Sequence, residues 1–218
     1  MSMIDPKALL KKITPTPQVA TTLSSEEKKT KITALFTQIM ETLGLDLTDD
    51  SLSETPHRVA KMYVDEVFYG LSETTFPKIT LVENKFGYDH AVIEVNIVTN
   101  SHCEHHFVPI IGKTHIAYIP GKKVIGLSKL NRIVDYFAKR PQIQERLTLQ
   151  IHQALCEILG TEDVAVVTDA MHACVKTRGI KDVTSMTRTS KLSGVFKKDS
   201  CHRVEFMQAI PRVQEVVY

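Results

Sequence analysis

Residues 91–98 read Ala91-Val-Ile-Glu-Val-Asn-Ile-Val98, and residues 101–106 read Ser101-His-Cys-Glu-His-His106. The first run is rich in β-branched residues and predicts a strand. The second places one thiol, one carboxylate and three imidazoles after it, in a chain with only four cysteines and nine histidines. Strand ends on a rigid scaffold are common positions for functional residues. We therefore expect this cluster at a strand end or bend, with a plain polar turn as the poorer interpretation.

Within the cluster, Cys103 and His106 form a Cys-x-x-His pair, which lets two side chains reach one metal ion across a tight turn. A third ligand must come from elsewhere, and Cys174 is the best candidate. Two thiolates and one imidazole leave the fourth tetrahedral position open, which is typical of a catalytic zinc site. His105 and His172 then remain as imidazoles for proton transfer.

Residues 164–178 predict the strand that brings this third ligand. A β-branched run leads into four chemically distinctive even-numbered residues, His172, Cys174, Lys176 and Arg178. Because strand side chains alternate between faces, we expect these four on one face. A buried face does not tolerate two unpaired cations, and a solvated face does not need a cysteine. A metal ion beside a polyanion satisfies both conditions, so the chemistry alone indicates metal-assisted hydrolysis of a phosphate-bearing substrate.

Two further pairs of basic residues are candidates for an anion site. Lys129 and Arg132 lie in the first turn of a helix predicted to begin at Ser128. Cations at a helix N-terminus are unfavourable unless an anion joins them, although a capped surface helix explains this pair equally well. Arg58 and Lys61 share one face of an earlier helix, and a solvated cationic face is the better explanation for them alone.

Gln144 and Glu145 lie near the start of a helix that we predict over residues 142–159, with Pro141 in its first turn and Gly160 ending it. A carboxylate there is favourable for the helix dipole alone. It can also accept two parallel N–H bonds from a planar donor pair such as a guanine edge. The pattern leaves both explanations of Glu145 open.

The remaining segments predict an α+β protein. Ser24 and Glu27 form a capping box for a helix that ends near Gly44, and a second helix runs from Thr55-Pro56, with Thr55 as N-cap, to Gly70. Additional strands are predicted over residues 79–82, 107–111, 114–119 and 184–190, with Gly112-Lys113 as a turn, and a last helix over residues 199–210. We interpret residues 1–23 as an arm, 24–75 as an N-terminal helical region and 76–218 as the catalytic domain.

Composition is that of an ordinary soluble globular protein, with 43% hydrophobic and 24% charged residues. A net charge of +2 creates no global field that demands nucleic acid or an anionic membrane. No apolar run approaches the ~20 residues that span a bilayer, and residues 1–12 lack the apolar core of a secretory signal. We therefore expect a cytoplasmic protein, in which sparse cysteines indicate metal binding or catalysis.

Five motifs occur together in this chain. They are Thr55-Pro-x-Arg-Val-Ala-Lys-Met62, Cys103-Glu-His-His106, Gly126-Leu-Ser-Lys129 with Asn131-Arg132, Arg140-Pro-Gln-x-Gln-Glu-Arg146, and His172-x-Cys174-x-x-x-Arg178-Gly179. Together they closely resemble the GTP cyclohydrolase I family over about residues 32–210. The resemblance implies the tunnelling fold (T-fold), an antiparallel sheet with helices packed on one face, plus N-terminal helices. It also implies a homodecamer whose active sites lie between subunits.

The implied reaction converts GTP and water to 7,8-dihydroneopterin triphosphate and formate, the entry step to folate and other pterins. By matching motif, Zn²⁺ falls to Cys103, His106 and Cys174. Zinc-activated water would attack C8 of guanine, with His105 and His172 moving protons during ring opening. Glu145, with Gln144, would hold the base, and Ser128 would act at the catalytic site as a contact to ribose or phosphate. The triphosphate candidates are Arg58, Lys61, Lys129, Arg132, Lys176 and Arg178.

Two other functions compete with this one. A related enzyme of the same fold could act on another purine or pterin, although Glu145 and the triphosphate cations argue against it. A non-catalytic, zinc-stabilised nucleotide-binding module is the alternative from another class. The open fourth position disfavours that module, because structural zinc sites are normally closed.

Overall fold

The computed structural model describes residues 4–211. Residues 1–3 of the predicted arm and 212–218 of the predicted catalytic domain lie outside this range. The helices are α1 (Pro6–Leu10), α2 (Ser25–Thr42), α3 (Thr55–Lys61), α4 (Leu127–Ala138), α5 (Gln144–Leu159), α6 (Ala173–Lys176), α7 (Gly194–Lys198) and α8 (Ser200–Ala209). The strands are β1 (Leu81–Glu83), β2 (Val92–Cys103), β3 (Pro109–Tyr118), β4 (Lys123–Ile125), β5 (Pro141–Gln142), β6 (Val164–His172) and β7 (Thr187–Leu192).

A five-stranded sheet in the order β5-β2-β3-β6-β7 organises the described part of the chain. The four longer strands pair antiparallel, while the two-residue β5 runs parallel to the end of β2. β1 and β4 form a separate antiparallel pair. The expected α+β class with an antiparallel sheet is therefore confirmed. Among the described residues, no helix is long and apolar enough to cross a bilayer.

The main core lies between one face of the sheet and helices α4 and α5. Its fully buried residues include Ile116 and Val166 from the sheet, Phe137 from α4 and Leu147 from α5. The opposite face is also covered in part, because Phe196 of α7 and Phe206 of α8 pack against alternate residues of β3 and β6. Helices thus pack on both faces, whereas we expected them on one. Of these two helices only the last was predicted, over residues 199–210 and with no packing face assigned; in the structure α8 buries Phe206.

Two glycines that the sequence suggests as breakers have packing roles instead. Gly112 lies inside the continuous strand β3 opposite Ala170, so the expected turn at Gly112-Lys113 is wrong. A Cβ at Gly112 would come 2.0 Å from the carbonyl oxygen of Asp169, so only glycine allows β3 and β6 to approach here. Gly70 likewise follows the helix end at Phe68 and packs on the C-terminal end of α4.

Helix starts differ from the prediction by a few residues. Thr55 is the first residue of α3 rather than its N-cap, which is Glu54. Pro141 pairs with β2 as part of β5, and α5 begins only at Gln144. The backbone carbonyl of Gln142 accepts a hydrogen bond from the Glu104 N–H at 3.0 Å, so pairing with β2 outweighs local helix propensity.

Several other local predictions are confirmed. The Ser24–Glu27 capping box begins α2, and Gly160 ends α5 with φ of 66°.

The segment predicted as an arm packs on the core: α1 buries Leu9, and Ile13 also belongs to the main hydrophobic cluster. An ion pair between Lys12 and Glu157 at 2.8 Å joins this segment to α5.

Candidate metal centre

The turn that follows β2 carries two of the three predicted metal ligands. Cys103 is the last residue of β2, and residues 104–106 form the turn. The Cys103 N–H donates to the Val108 carbonyl and the Phe107 N–H donates to the Cys103 carbonyl, both at 2.8 Å. Phe107 adopts a left-handed conformation with φ of 54° to close the turn. The cluster therefore lies at a strand end, as its sequence predicts.

Cys103, His106 and Cys174 bring their ligand atoms within 4.8 Å of one another. The Sγ of Cys103 lies 4.0 Å from Nδ1 of His106. Ligand atoms around a tetrahedral zinc ion would be separated by about 3.6–3.8 Å, given the usual Zn–S and Zn–N bond lengths. Burial and the adjacent Cys103 thiol raise the pKa of Cys174. A bound cation would relieve this repulsion between thiolates, so the three residues fit one metal ion.

Cys174 reaches the site by a different path from the one predicted. β6 ends at His172, and the next residues form the short helix α6, so the alternation expected over residues 172–178 is wrong beyond His172. Cys174 lies in α6, whereas Arg178 lies two residues beyond its end. Nη1 of Arg178 lies 2.7 Å from Nε2 of His106. Lys176 is the last residue of α6 and half-buried.

The two candidate proton-transfer histidines have different surroundings. The His105 side chain is 65% exposed, with Nδ1 3.7 Å from Sγ of Cys103. His172 is half-buried, and its Nε2 lies 2.8 Å from Oε1 of Gln144. Burial lowers the pKa of His172, although the charge of Glu145 acts in the opposite direction. Of the two imidazoles, that of His172 is therefore the one held by a defined partner.

The family model for GTP cyclohydrolase I matches residues 32–211. The chain belongs to the GTP cyclohydrolase I family. Proteins named GTP cyclohydrolase 1 include one from Aeromonas salmonicida, 58% identical over 192 residues that cover 88% of each chain. Another from Yersinia pseudotuberculosis is 55% identical over 204 residues, covering 94% of this chain and 93% of its own. A crystal structure of the QueF-like archaeosine synthase aligns with 48% of this chain and 93% of its own, with a TM-score of 0.40 and 16% identity.

Some residues around the candidate metal ligands were not predicted as part of the site. Glu104, the carboxylate of the Cys103–His106 motif, forms an ion pair with Arg146 of α5. The rings of Tyr63 and Phe68 contact Phe107, and His102 contacts Phe68, with centroid distances of 5.2–6.0 Å. Arg146 belongs to the motif over residues 140–146, but the sequence does not show that its partner is Glu104.

Helix α4 places a second group of predicted residues away from the cluster. The Ala138 carbonyl at the end of α4 accepts a hydrogen bond from Ser101 at 2.7 Å, close to the metal-binding turn. Asn131, near its start, contacts Glu94 in the opposite half of β2. Ser128 lies about 15 Å from Ala138 along the helix axis at 1.5 Å per residue. Within one chain, the structure therefore does not bring Ser128, Lys129 and Arg132 to the metal ligands.

Arg58 and Lys61 are exposed residues of α3. The helix continues into a π-helical turn over Met62–Val67. The ring of Tyr63 in this turn lies 6.0 Å from that of Phe107, so α3 approaches the metal-binding turn through aromatic contacts. Glu145 is exposed in the first turn of α5, next to the buried Gln144.

Proposed function

We propose that this member of the GTP cyclohydrolase I family converts GTP and water to 7,8-dihydroneopterin triphosphate and formate. The observation that carries the proposal is the convergence of Cys103, His106 and Cys174, with Arg178 in contact with His106. The name GTP cyclohydrolase 1, shared by relatives 55–58% identical to this chain, supports the same reaction.

Zinc is the metal that we propose for the site. Two thiolates and an imidazole form a soft donor set that suits zinc, and tetrahedral geometry with three protein ligands leaves one position open. Cys103, His106 and Cys174 would hold the ion, which would lower the pKa of water towards 7 and so supply a nucleophile for C8 of guanine at neutral pH. Ring opening, release of formate and recyclisation would follow.

The proton transfers are assigned to His105, which adjoins His106 in the turn, and to His172, which is two residues before Cys174. The carboxylate of Glu145 is exposed at the start of α5, where it can accept two N–H bonds from the guanine edge.

The proposed role of Arg178 depends on metal binding by His106. A His106 that ligates through Nδ1 keeps its proton on Nε2, so the guanidinium 2.7 Å away would turn to another acceptor, and a phosphate is suitable.

The remaining triphosphate contacts are proposed to come partly from a neighbouring subunit. Ser128, Lys129 and Arg132 lie near the start of α4, and Ser128 is about 15 Å along the helix axis from Ala138, whose carbonyl bonds Ser101 close to the metal-binding turn. A homodecamer with active sites between subunits would bring these residues to the next chain's cluster. Arg58, Lys61 and Lys176 are the other candidate cations. The four cysteines are free thiols, which is consistent with a cytoplasmic location.

One assay tests the reaction. Purified, zinc-loaded protein is incubated with GTP, formate is measured enzymatically, and the pterin product is oxidised and measured by fluorescence. We expect both products in equal amounts. If neither forms from metal-replete, correctly assembled protein, the proposed reaction is wrong. Formation of pterin from a different purine only would instead indicate a related enzyme with another substrate.

A further inference from the structure

Gln144 is the first residue of α5, and its side chain is held by two strands of the sheet. The residue is 1% exposed. Its Nε2 donates to the carbonyl oxygens of Thr168 in β6 and Thr187 in β7, both at 2.9 Å. A glutamine amide has two N–H donors, and both are used here. The side chain therefore has no donor left for a ligand.

These two contacts determine which way the amide faces. Backbone carbonyls only accept hydrogen bonds, so the nitrogen of the Gln144 amide must point to Thr168 and Thr187. The oxygen Oε1 then faces His172, whose Nε2 lies 2.8 Å away. A carbonyl oxygen cannot donate, so Nε2 of His172 must carry a proton. In the neutral imidazole, Nδ1 is consequently the nitrogen with a free lone pair.

We propose that Gln144 is a positioning residue that fixes the tautomer and ring orientation of His172. The Nδ1 lone pair of His172 then takes a proton from the reacting substrate or water, giving an imidazolium that still donates to Gln144, and returns that proton from Nδ1 in a later step. This role rests on the proposed function and replaces the base contact expected of the Gln144 side chain. Base recognition is left to Glu145.

His105 offers a contrast within the same cluster. Its ring is mostly exposed and has no partner equivalent to Gln144 among the described residues; its nearest polar atoms are Sγ of Cys103 at 3.7 Å and a Glu104 oxygen at 3.8 Å. Only His172 faces an amide, that of Gln144, whose orientation is set by two carbonyls from separate strands. A fixed tautomer is therefore a specific property of His172 and not of every histidine at this site.

Neutron diffraction from crystals of the zinc-loaded protein, exchanged into D₂O, tests the assignment directly. We expect deuterium on Nε2 of His172, and two deuterium atoms on the Gln144 amide that point to Thr168 and Thr187. Absence of deuterium from Nε2 of His172 would overturn the proposal. This measurement involves no turnover, so its outcome is independent of whether GTP is the substrate.

A kinetic test uses Gln144→Met, which keeps the length of the side chain and removes its acceptor. We expect kcat to fall about 10- to 100-fold, as for the loss of partners that orient functional histidines. GTP affinity should change by less than about twofold, and zinc content should stay the same. Weaker GTP binding with unchanged kcat would overturn the proposal, because it would indicate a base contact.

Gln150→Met is the matched control. Gln150 is also 1% exposed on α5, and its amide bonds Gln142 and the Thr14 carbonyl, away from His172. Both variants lose buried hydrogen bonds, but only Gln144→Met should lower kcat at equal thermal stability. An equal fall in kcat for both variants would contradict a specific effect on His172. If Gln144→Met does not fold, the neutron map of the unmodified protein still decides.

Discussion

The guanidinium of Arg146 forms an ion pair with the carboxylate of Glu104, and this pair joins α5 to the metal-binding turn. Arg146 also donates to Oε1 of Gln142 at 2.9 Å and to the Pro141 carbonyl at 3.2 Å. The Arg146 side chain is only 10% exposed, so this pair is screened less than a surface ion pair. Glu104 thus links the turn to α5.

Arg146→Met should loosen the turn, because it removes the guanidinium and keeps much of the aliphatic stem. We expect zinc affinity to fall about 10- to 100-fold, measured by competition with a chromophoric chelator. The free energy of unfolding should fall by about 1–3 kcal/mol. Arg203→Met on α8 is the control and should leave zinc affinity unchanged. Equal zinc affinity of the Arg146 variant and the unmodified protein would remove Arg146 from this role.

Cys174→Ser should abolish zinc binding and turnover together, because serine is a poor ligand for zinc and only two protein ligands remain. Mass spectrometry measures the zinc content, and the GTP assay measures turnover. Cys201→Ser is the control, since Cys201 is an exposed cysteine of α8 and should be dispensable for both. Full zinc occupancy in the Cys174 variant would contradict its role as a ligand.

The predictable part of this structure is the part that depends on local pattern. β-branched runs predicted the longer strands, and the Ser24–Glu27 capping box and Gly160 predicted helix ends that the structure confirms. The candidate metal ligands were selected because cysteine and histidine are scarce and their chemistry is specific, and the structure brings the three residues together. Such signals need only residue type and short spacing.

Contacts between distant segments account for several of the errors. Gly112 looks like a turn residue in sequence, and its reason for being glycine is the backbone of Asp169 on another strand. The four-residue spacing of Cys174 and Arg178 is compatible with a strand face and with a helical turn. The sequence pattern therefore could not predict the helix α6. The role of Gln144 depends on Thr187, a residue of β7, and no local signal marks that contact.

Glu145→Ala should weaken GTP binding while zinc stays bound, because the guanine N–H donors would lose their acceptor. The expected loss is about 1–3 kcal/mol of binding free energy. Calorimetric titration with a non-hydrolysable GTP analogue measures it, and zinc content is checked in the same samples. Glu41→Ala on α2 removes an exposed carboxylate elsewhere and should have no effect. An unchanged affinity for the analogue would exclude Glu145 from base recognition.

Asp169 makes the stability of the sheet depend on acid pH. Arg188 donates to both carboxylate oxygens, Nε to Oδ1 at 2.6 Å and Nη2 to Oδ2 at 2.7 Å. Burial disfavours the charged carboxylate, but the contacts from His115 and Arg188 outweigh it and lower the pKa of Asp169 from 3.8 to about 2. A lowered pKa stabilises the folded state above the unfolded value, and this stability is lost as the pH falls from about 4 towards 2.

Asp169→Asn should therefore reduce the free energy of unfolding by about 1–2 kcal/mol at pH 7, allowing for solvent screening at the partly exposed Arg188. The difference between the two proteins should shrink between pH 4 and pH 2, as measured by urea unfolding across this range. Asp50→Asn changes an exposed carboxylate and serves as the control. A difference that stays constant down to pH 2 would show that Asp169 contributes through packing rather than charge.

Mixed oligomers test whether each active site combines two chains. Cys174→Ser removes the metal-binding half, and a Lys129→Ala, Arg132→Ala double variant removes the half on α4; each should be inactive alone. Because the two halves of a shared site come from different subunits, random assembly of equal amounts should restore about a quarter of the sites. Co-expression with two different affinity tags and tandem purification gives oligomers that contain both chains, and the GTP assay measures them.

A matched mixture controls for non-specific rescue. Cys174→Ser combined with Cys103→Ser damages the same half in both chains, so no arrangement of subunits restores an intact site and the mixture should stay inactive. Activity from the first mixture alone would place Lys129 and Arg132 across a subunit interface. If both mixtures are inactive although each contains both chains, the metal ligands and the α4 cations act within one chain, and α4 must then move relative to the position in which Ala138 holds Ser101.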